Sequence, residues 1–153
     1  MTMNVLKGLL TINDSDPYVD YGAFLVEDKP GDMKNYSSLL KPSAAKPQKE
    51  VSFRERDGVK VPNKLVQRWE ARDVTLQFCI LAADRAEFLE RYSGFVDMLR
   101  TGIDGWLDFY LPELDKHFRM YYREASDYKQ LTDFEGEVAG KFTVKFREPQ
   151  PSF

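Results

Sequence analysis

One run of residues limits the fold more than any other. Between 84 and 101 lies the one strongly helical stretch, and alternating strand-like runs flank it on both sides. Asp84 is placed to cap the helix, and Glu87 three residues on completes a capping-box pattern. Phe88, Leu89, Tyr92, Phe95, Val96 and Leu99 recur at helical spacing and are expected on one face, with Gly102 as the stop. Gly94 inside this run costs about 1 kcal/mol relative to alanine, which predicts close packing against a strand. A single amphipathic helix cannot bury its stripe against itself. With no second strong helix, its partner must be a sheet.

The flanking residues supply that sheet. Val74, Leu76, Phe78 and Ile80 alternate with Thr75, Gln77 and Cys79, the period of a strand with one buried face. After the helix, Trp106–Leu111 reads as a strand stopped by Pro112. Glu113–Lys116 reads as a tight hairpin connection, and Phe118–Arg123 as its return strand. The last strand is expected over Gly136–Phe146, with Phe142, Val144 and Phe146 on one face and a bulge at Ala139-Gly140. Towards the N-terminus, Tyr21–Val26 and Val51–Glu55 read as strands. Between them Glu27–Glu50 is rich in Lys, Pro, Ser and Ala, with a short helical turn at Tyr36–Leu40. A connection of this length predicts a flexible arm or insertion. The fold class expected is α+β: a β-sandwich or split barrel of antiparallel strands, with one long helix packed across a sheet.

At 153 residues, 42% hydrophobic and 31% charged, the chain is expected to form a single domain over 1–153 without disulfides or metals. Twenty-two basic against 25 acidic residues give a net charge of −3, which argues against a polyanion-binding surface, so no sequence-specific nucleic-acid partner is expected. Cys79 is the only cysteine and sits without a basic cluster, so an inert thiol is expected. His117 is the only histidine and lies at a turn, which leaves no histidine metal triad. Asp14, Asp16 and Asp20 fail a calcium loop, because its glycine and glutamate positions are Val19 and Leu25; a turn fits better. No phosphate-binding glycine loop or nucleophile elbow occurs. No apolar run approaches the ~18 residues of a membrane span, and the first residues lack a signal-peptide pattern. The expectation is a non-enzyme without cofactor or membrane partner, made inside the cell.

The order of strand Val74–Ile80, helix Asp84–Thr101, strand Gly105–Leu111 after a glycine turn, and Gly140–Pro149 ending in Phe-Arg-Glu-Pro resembles the N-terminal, ring-forming domain of tailed-phage distal tail proteins. More broadly it is similar to the tail-tube superfamily. Ile12-Asn13-Asp14 followed by Asp20-Tyr21-Gly22 is similar to that domain's opening, and Arg54–Gly58 matches it loosely. The resemblance implies a homo-oligomeric ring, often a hexamer, around a tail channel. It also implies other tail proteins as partners, synthesis in a bacterial host, and a final place in the virion tail. The 27–50 segment corresponds to the arms that touch neighbouring subunits. Tyr36, Leu39 and Leu40 within it, together with Trp69 and Trp106, are the expected intersubunit contacts; for each tryptophan, core burial is the competing reading. The alternative function is a binding module or scaffold outside any virion, adding a partner strand at a sheet edge.

Overall fold

The computed structural model describes residues 7–29 and 31–153. Within them the elements run β1 (Thr11–Ile12), α1 (Pro17–Tyr21), β2 (Ala23–Leu25), α2 (Lys34–Leu40), β3 (Val51–Ser52), β4 (Val59–Lys60), β5 (Arg72–Ala82), α3 (Arg85–Thr101), β6 (Leu107–Leu111), β7 (Lys116–Gln130) and β8 (Val138–Glu148). Six strands join in the order β1-β6-β7-β8-β5-β2, each pair antiparallel. The sheet curls into a sandwich-like half-barrel, and α3 packs across it. The expected α+β architecture is the one observed.

The sheet is built on β5 and β8, which pair without interruption from Arg72 opposite Glu148 to Ala82 opposite Val138. Their alternation turns Val74, Leu76, Phe78, Ile80, Phe142, Val144 and Phe146 into one interior face, each at most 1% exposed. Ala139 and Gly140 stay in register with β5, so the expected bulge is not there. The irregularities fall on β7 instead, between Tyr122 and Glu124 and between Ser126 and Lys129. Gly140 answers to packing: a Cβ there would lie 2.6 Å from the Tyr128 hydroxyl and 3.0 Å from the Phe88 ring. β7 also continues well past Arg123. Its polar second half carries no alternation, and it is a strand because β8 offers it backbone partners.

α3 begins as expected, with Asp84 Oδ1 accepting the Glu87 N–H at 2.8 Å. Only half of the box forms, because the Glu87 carboxylate pairs with Arg91 at 3.0 Å. Phe88, Phe95 and Leu99 are buried, with Phe95 edge-on to Phe78 at 5.1 Å and Tyr92 edge-on to Phe142 at 5.3 Å. Leu89 departs from the expected stripe and is 53% exposed. It stands about 100° round the helix from Phe88, off the buried face. Gly94 admits the Tyr21 ring of α1, 3.1 Å from where its Cβ would be, rather than a strand.

The N-terminal half differs most. Asp16 caps α1 and Gly22 ends it in the left-handed region, so Tyr21 is helical and β2 is only three residues long. The long connection is not free over 27–50, because α2 is part of the body. Leu39 is fully buried. Asn35 Oδ1 accepts the Gln77 N–H at 2.7 Å and Ser38 Oγ accepts the Thr75 N–H at 2.8 Å. Two α2 side chains thus serve the β5 edge where β2 has run out. Met33 makes no side-chain cap to α2, and Glu27 does so instead, accepting the Lys34 and Asn35 N–H groups at 2.7 and 3.2 Å.

At the other end of β5, Arg72 and Glu148 form a buried ion pair. Arg72 also donates to the Lys41 carbonyl at 2.7 Å, and Glu148 accepts the Ser152 N–H and hydroxyl, both at 2.8 Å. The pair therefore ties α2, β5, β8 and the tail together. Removing one partner strands a buried charge, so Glu148→Ala is expected to cost about 3–5 kcal/mol in urea unfolding. Phe95→Ala should cost a similar ~3–5 kcal/mol, whereas Leu89→Ala should change stability by no more than about 0.5 kcal/mol.

Candidate interaction surface

The segment that leaves the body is 46–69. Its base is pinned by the Lys46 N–H on the Arg68 carbonyl and the Glu70 N–H on the Ala44 carbonyl, both at 2.8 Å, with Ala45 bridged to Trp69. From there β3 and β4 pair, among the described residues, only with each other, through a turn with Gly58 at φ 71°. Every residue from 49 to 69 is exposed, including Val51, Phe53, Val59, Val61, Leu65, Val66 and Trp69. An isolated two-stranded hairpin is marginal in water. Apolar side chains concentrated on one make it a candidate surface for a partner. The signal for this hairpin was Asp57-Gly58, a strong turn dipeptide between apolar residues.

The residues expected at an interface separate clearly. Trp69 is 55% exposed at the base of the arm and Leu40 is 42% exposed at the end of α2. Leu39 lies in the chain's own core and has no surface to offer a neighbour. Tyr36 is half-buried and donates its hydroxyl to Glu113 at 2.6 Å; burial, then Glu113, pushes its pKa up to about 12. Trp106 is half-buried on the outer side of the β6–β7 hairpin. Arg119 lies 4.0 Å from its ring centroid, and Tyr121 meets it edge-on at 5.7 Å. Trp, Tyr and Arg in one cluster are the residue types that dominate interface energetics.

The chemistry elsewhere is quiet. Among the described residues no group of three or more metal-ligating side chains comes together. His117 is exposed, 3.0 Å from Asp108, with its ring tilted 34° against that of Tyr110. The Ser152 hydroxyl in the same hollow donates to Glu148. Cys79 is buried, and that burial pushes its thiol up to about 11. On the outer face of the sheet, the basic residues of β8 are each met by a carboxylate. Lys141 pairs with Asp28 at 2.9 Å, Lys145 with Glu124 at 3.3 Å, and Arg147 with Asp73 at 3.1 Å. Each pair adds little stability, but together they cancel what would otherwise be a positive stripe.

No protein-family model matches the chain, and no curated protein matches it. A solved structure does share the fold: the crystal structure of the phage SPP1 protein Dit, described as a paradigm of the hub adsorption apparatus in phages that infect Gram-positive bacteria. The two superpose with a TM-score of 0.64 at 12% identity, over 94% of this chain and 50% of that one. The chain thus spans about half the length of that protein, and the likeness is one of fold.

Two measurements check the electrostatics. Hydrogen bonds from Lys34, Lys141 and Gln77 hold the Asp28 carboxyl far below its usual value of 3.8. A depressed folded-state value stabilises above the unfolded pKa and is lost as pH falls towards the folded one. The Tm difference between the wild type and Asp28→Asn should therefore be full at neutral pH and narrow as pH falls below 3.8. Cys79 should resist an aromatic disulfide reagent at pH 8 in the native protein and react on unfolding.

Proposed function

We propose that this chain is a structural component of a phage or prophage tail, of the distal-tail or tube-like kind. In this reading it assembles with copies of itself into a ring around the tail channel and joins other tail proteins in the virion. The observation that carries it is the pairing of a hub-protein fold, followed over 94% of the chain, with a hairpin arm that buries none of its apolar residues in its own body. An arm seated on a different patch of the next copy is a heterologous contact, and such contacts close into rings when the rotation allows. Six copies is the expected number. Trp69, Leu40, Tyr36 and Trp106 are the side chains offered to neighbours.

The quiet chemistry fits a mechanical role without catalysis or cofactor. A sheet face whose lysines and arginines carry their own carboxylates suits a surface that lets a polyanion pass without holding it. Among the described residues no helix is long and apolar enough to cross a membrane.

Light scattering after size exclusion, with negative-stain microscopy, tests the assembly. Concentration-dependent rings are expected. Replacing residues 47–67 with a short Gly-Ser linker should preserve the far-ultraviolet circular dichroism and leave monomers. A wild type that stays monomeric at all concentrations, alone and co-expressed with neighbouring tail proteins, would overturn the proposal. Arm-dependent capture of one unrelated protein without a ring would favour the alternative, a non-virion binding module.

A further inference from the structure

The arm differs from the body in charge as well as in burial. Residues 46–69 carry seven basic and three acidic side chains, a net of +4. The rest of the chain carries 15 basic and 22 acidic ones, a net of −7. Among the described residues no arm side chain enters an ion pair; each pair joins two groups of the body. The excess is concentrated in the returning half of the arm, 59–68. There Lys60, Lys64 and Arg68 stand with no acidic residue among them, beside the exposed Val59, Val61, Leu65 and Val66. A surface both apolar and positive is complemented by one both apolar and negative.

The turn between β7 and β8 is such a surface. Residues 131–140 include Asp133, Glu135 and Glu137 and no basic residue. Among the described residues none of these three carboxylates enters an ion pair. Leu131 and Phe134 are exposed beside them, outside the core cluster. Hydrogen bonds fix the turn: the Leu131 N–H donates to the Ala139 carbonyl at 2.9 Å, and the Ala139 N–H to the Thr132 hydroxyl at 3.0 Å. The arm joins the sheet at Arg72 and the turn joins it at Val138. These are opposite ends of the eleven-residue β5–β8 ladder, about 33 Å apart along the strands. We infer that residues 59–68 of one copy clasp the 131–137 turn of the next. The basic side chains face the three carboxylates, and the arm's valines and Leu65 cover Phe134. Because the two surfaces leave opposite ends of the body, the contact is heterologous and runs head to tail. This inference rests on the ring reading and assigns the seat that reading leaves open.

Charge reversal in the full-length protein tests it. One variant carries Lys60→Glu and Lys64→Glu, and a second carries Glu135→Lys and Glu137→Lys; all four positions are exposed. Each variant alone sets like charge against like. Both should keep the native far-ultraviolet circular dichroism, yet elute as monomers where the wild type forms rings. Mixed in equal amounts, the two should assemble. The acidic arm of the first then meets the basic turn of the second, and the basic arm of the second meets the acidic turn of the first. A protein carrying all four substitutions should assemble alone. Recovery on mixing is a result that misfolded variants cannot give. Rings from either variant alone, or natively folded variants that stay monomeric when mixed, overturn the seat. Light scattering on the wild type separates the two readings: wild-type rings beside such a result remove the seat alone, and wild-type monomers remove both.

Discussion

Everything else in the molecule is referred to the eleven-residue pairing of β5 with β8. Its interior face presents Phe78, Phe142 and Phe146 side by side, and this floor receives the Phe95 and Tyr92 rings of α3. A one-residue slip between these strands would turn each aromatic outward. The Arg72–Glu148 pair marks the register at one end and Gly140 marks the other, where only a missing side chain lets Tyr128 and Phe88 close in. Neither device is a large source of stability. A buried ion pair roughly balances its own desolvation, and what it contributes here is an unambiguous alignment of four separate segments.

The parts legible in the sequence are those where periodicity and tertiary burial agree. Asp84, the 88–92–95–99 stripe and Gly102 define α3 to the residue because cap, stripe and stop are all local signals. Leu89 falls outside the buried face because spacing locates a stripe but not how wide its buried part is. The second half of β7 was invisible for the opposite reason: Glu124–Gln130 is a strand only because β8 pairs with it. α2 shows a third limit. Asn35 and Ser38 look like ordinary polar residues in and beside a short helical turn, yet they complete a sheet edge 37 or more residues away. No local pattern announces a long-range role of that kind.

Of the residues expected at an interface, Trp69 and Leu40 are exposed and Leu39 is not. Leu39 and Leu40 are adjacent and chemically identical, and the helical turn buries the first while presenting the second. Polar composition is a weaker sign of projection than apolar residues lacking any periodic face: part of 27–50 packs as α2, while the apolar side chains of 51–69 stay exposed. The body and the arm follow different rules. The core cluster is drawn wholly from the body, and the arm contributes no residue to it.

β7 belongs to both layers of the curled sheet. Its first residues, 116–120, pair with β6, and from Tyr121 onward it pairs with β8. The layers are therefore joined by continuous covalent backbone as well as by the contact of Phe109 with Phe146. A pull applied to the β6 side travels along one polypeptide into the β8 side and loads a long ladder in shear. The two halves cannot be peeled apart at a side-chain seam.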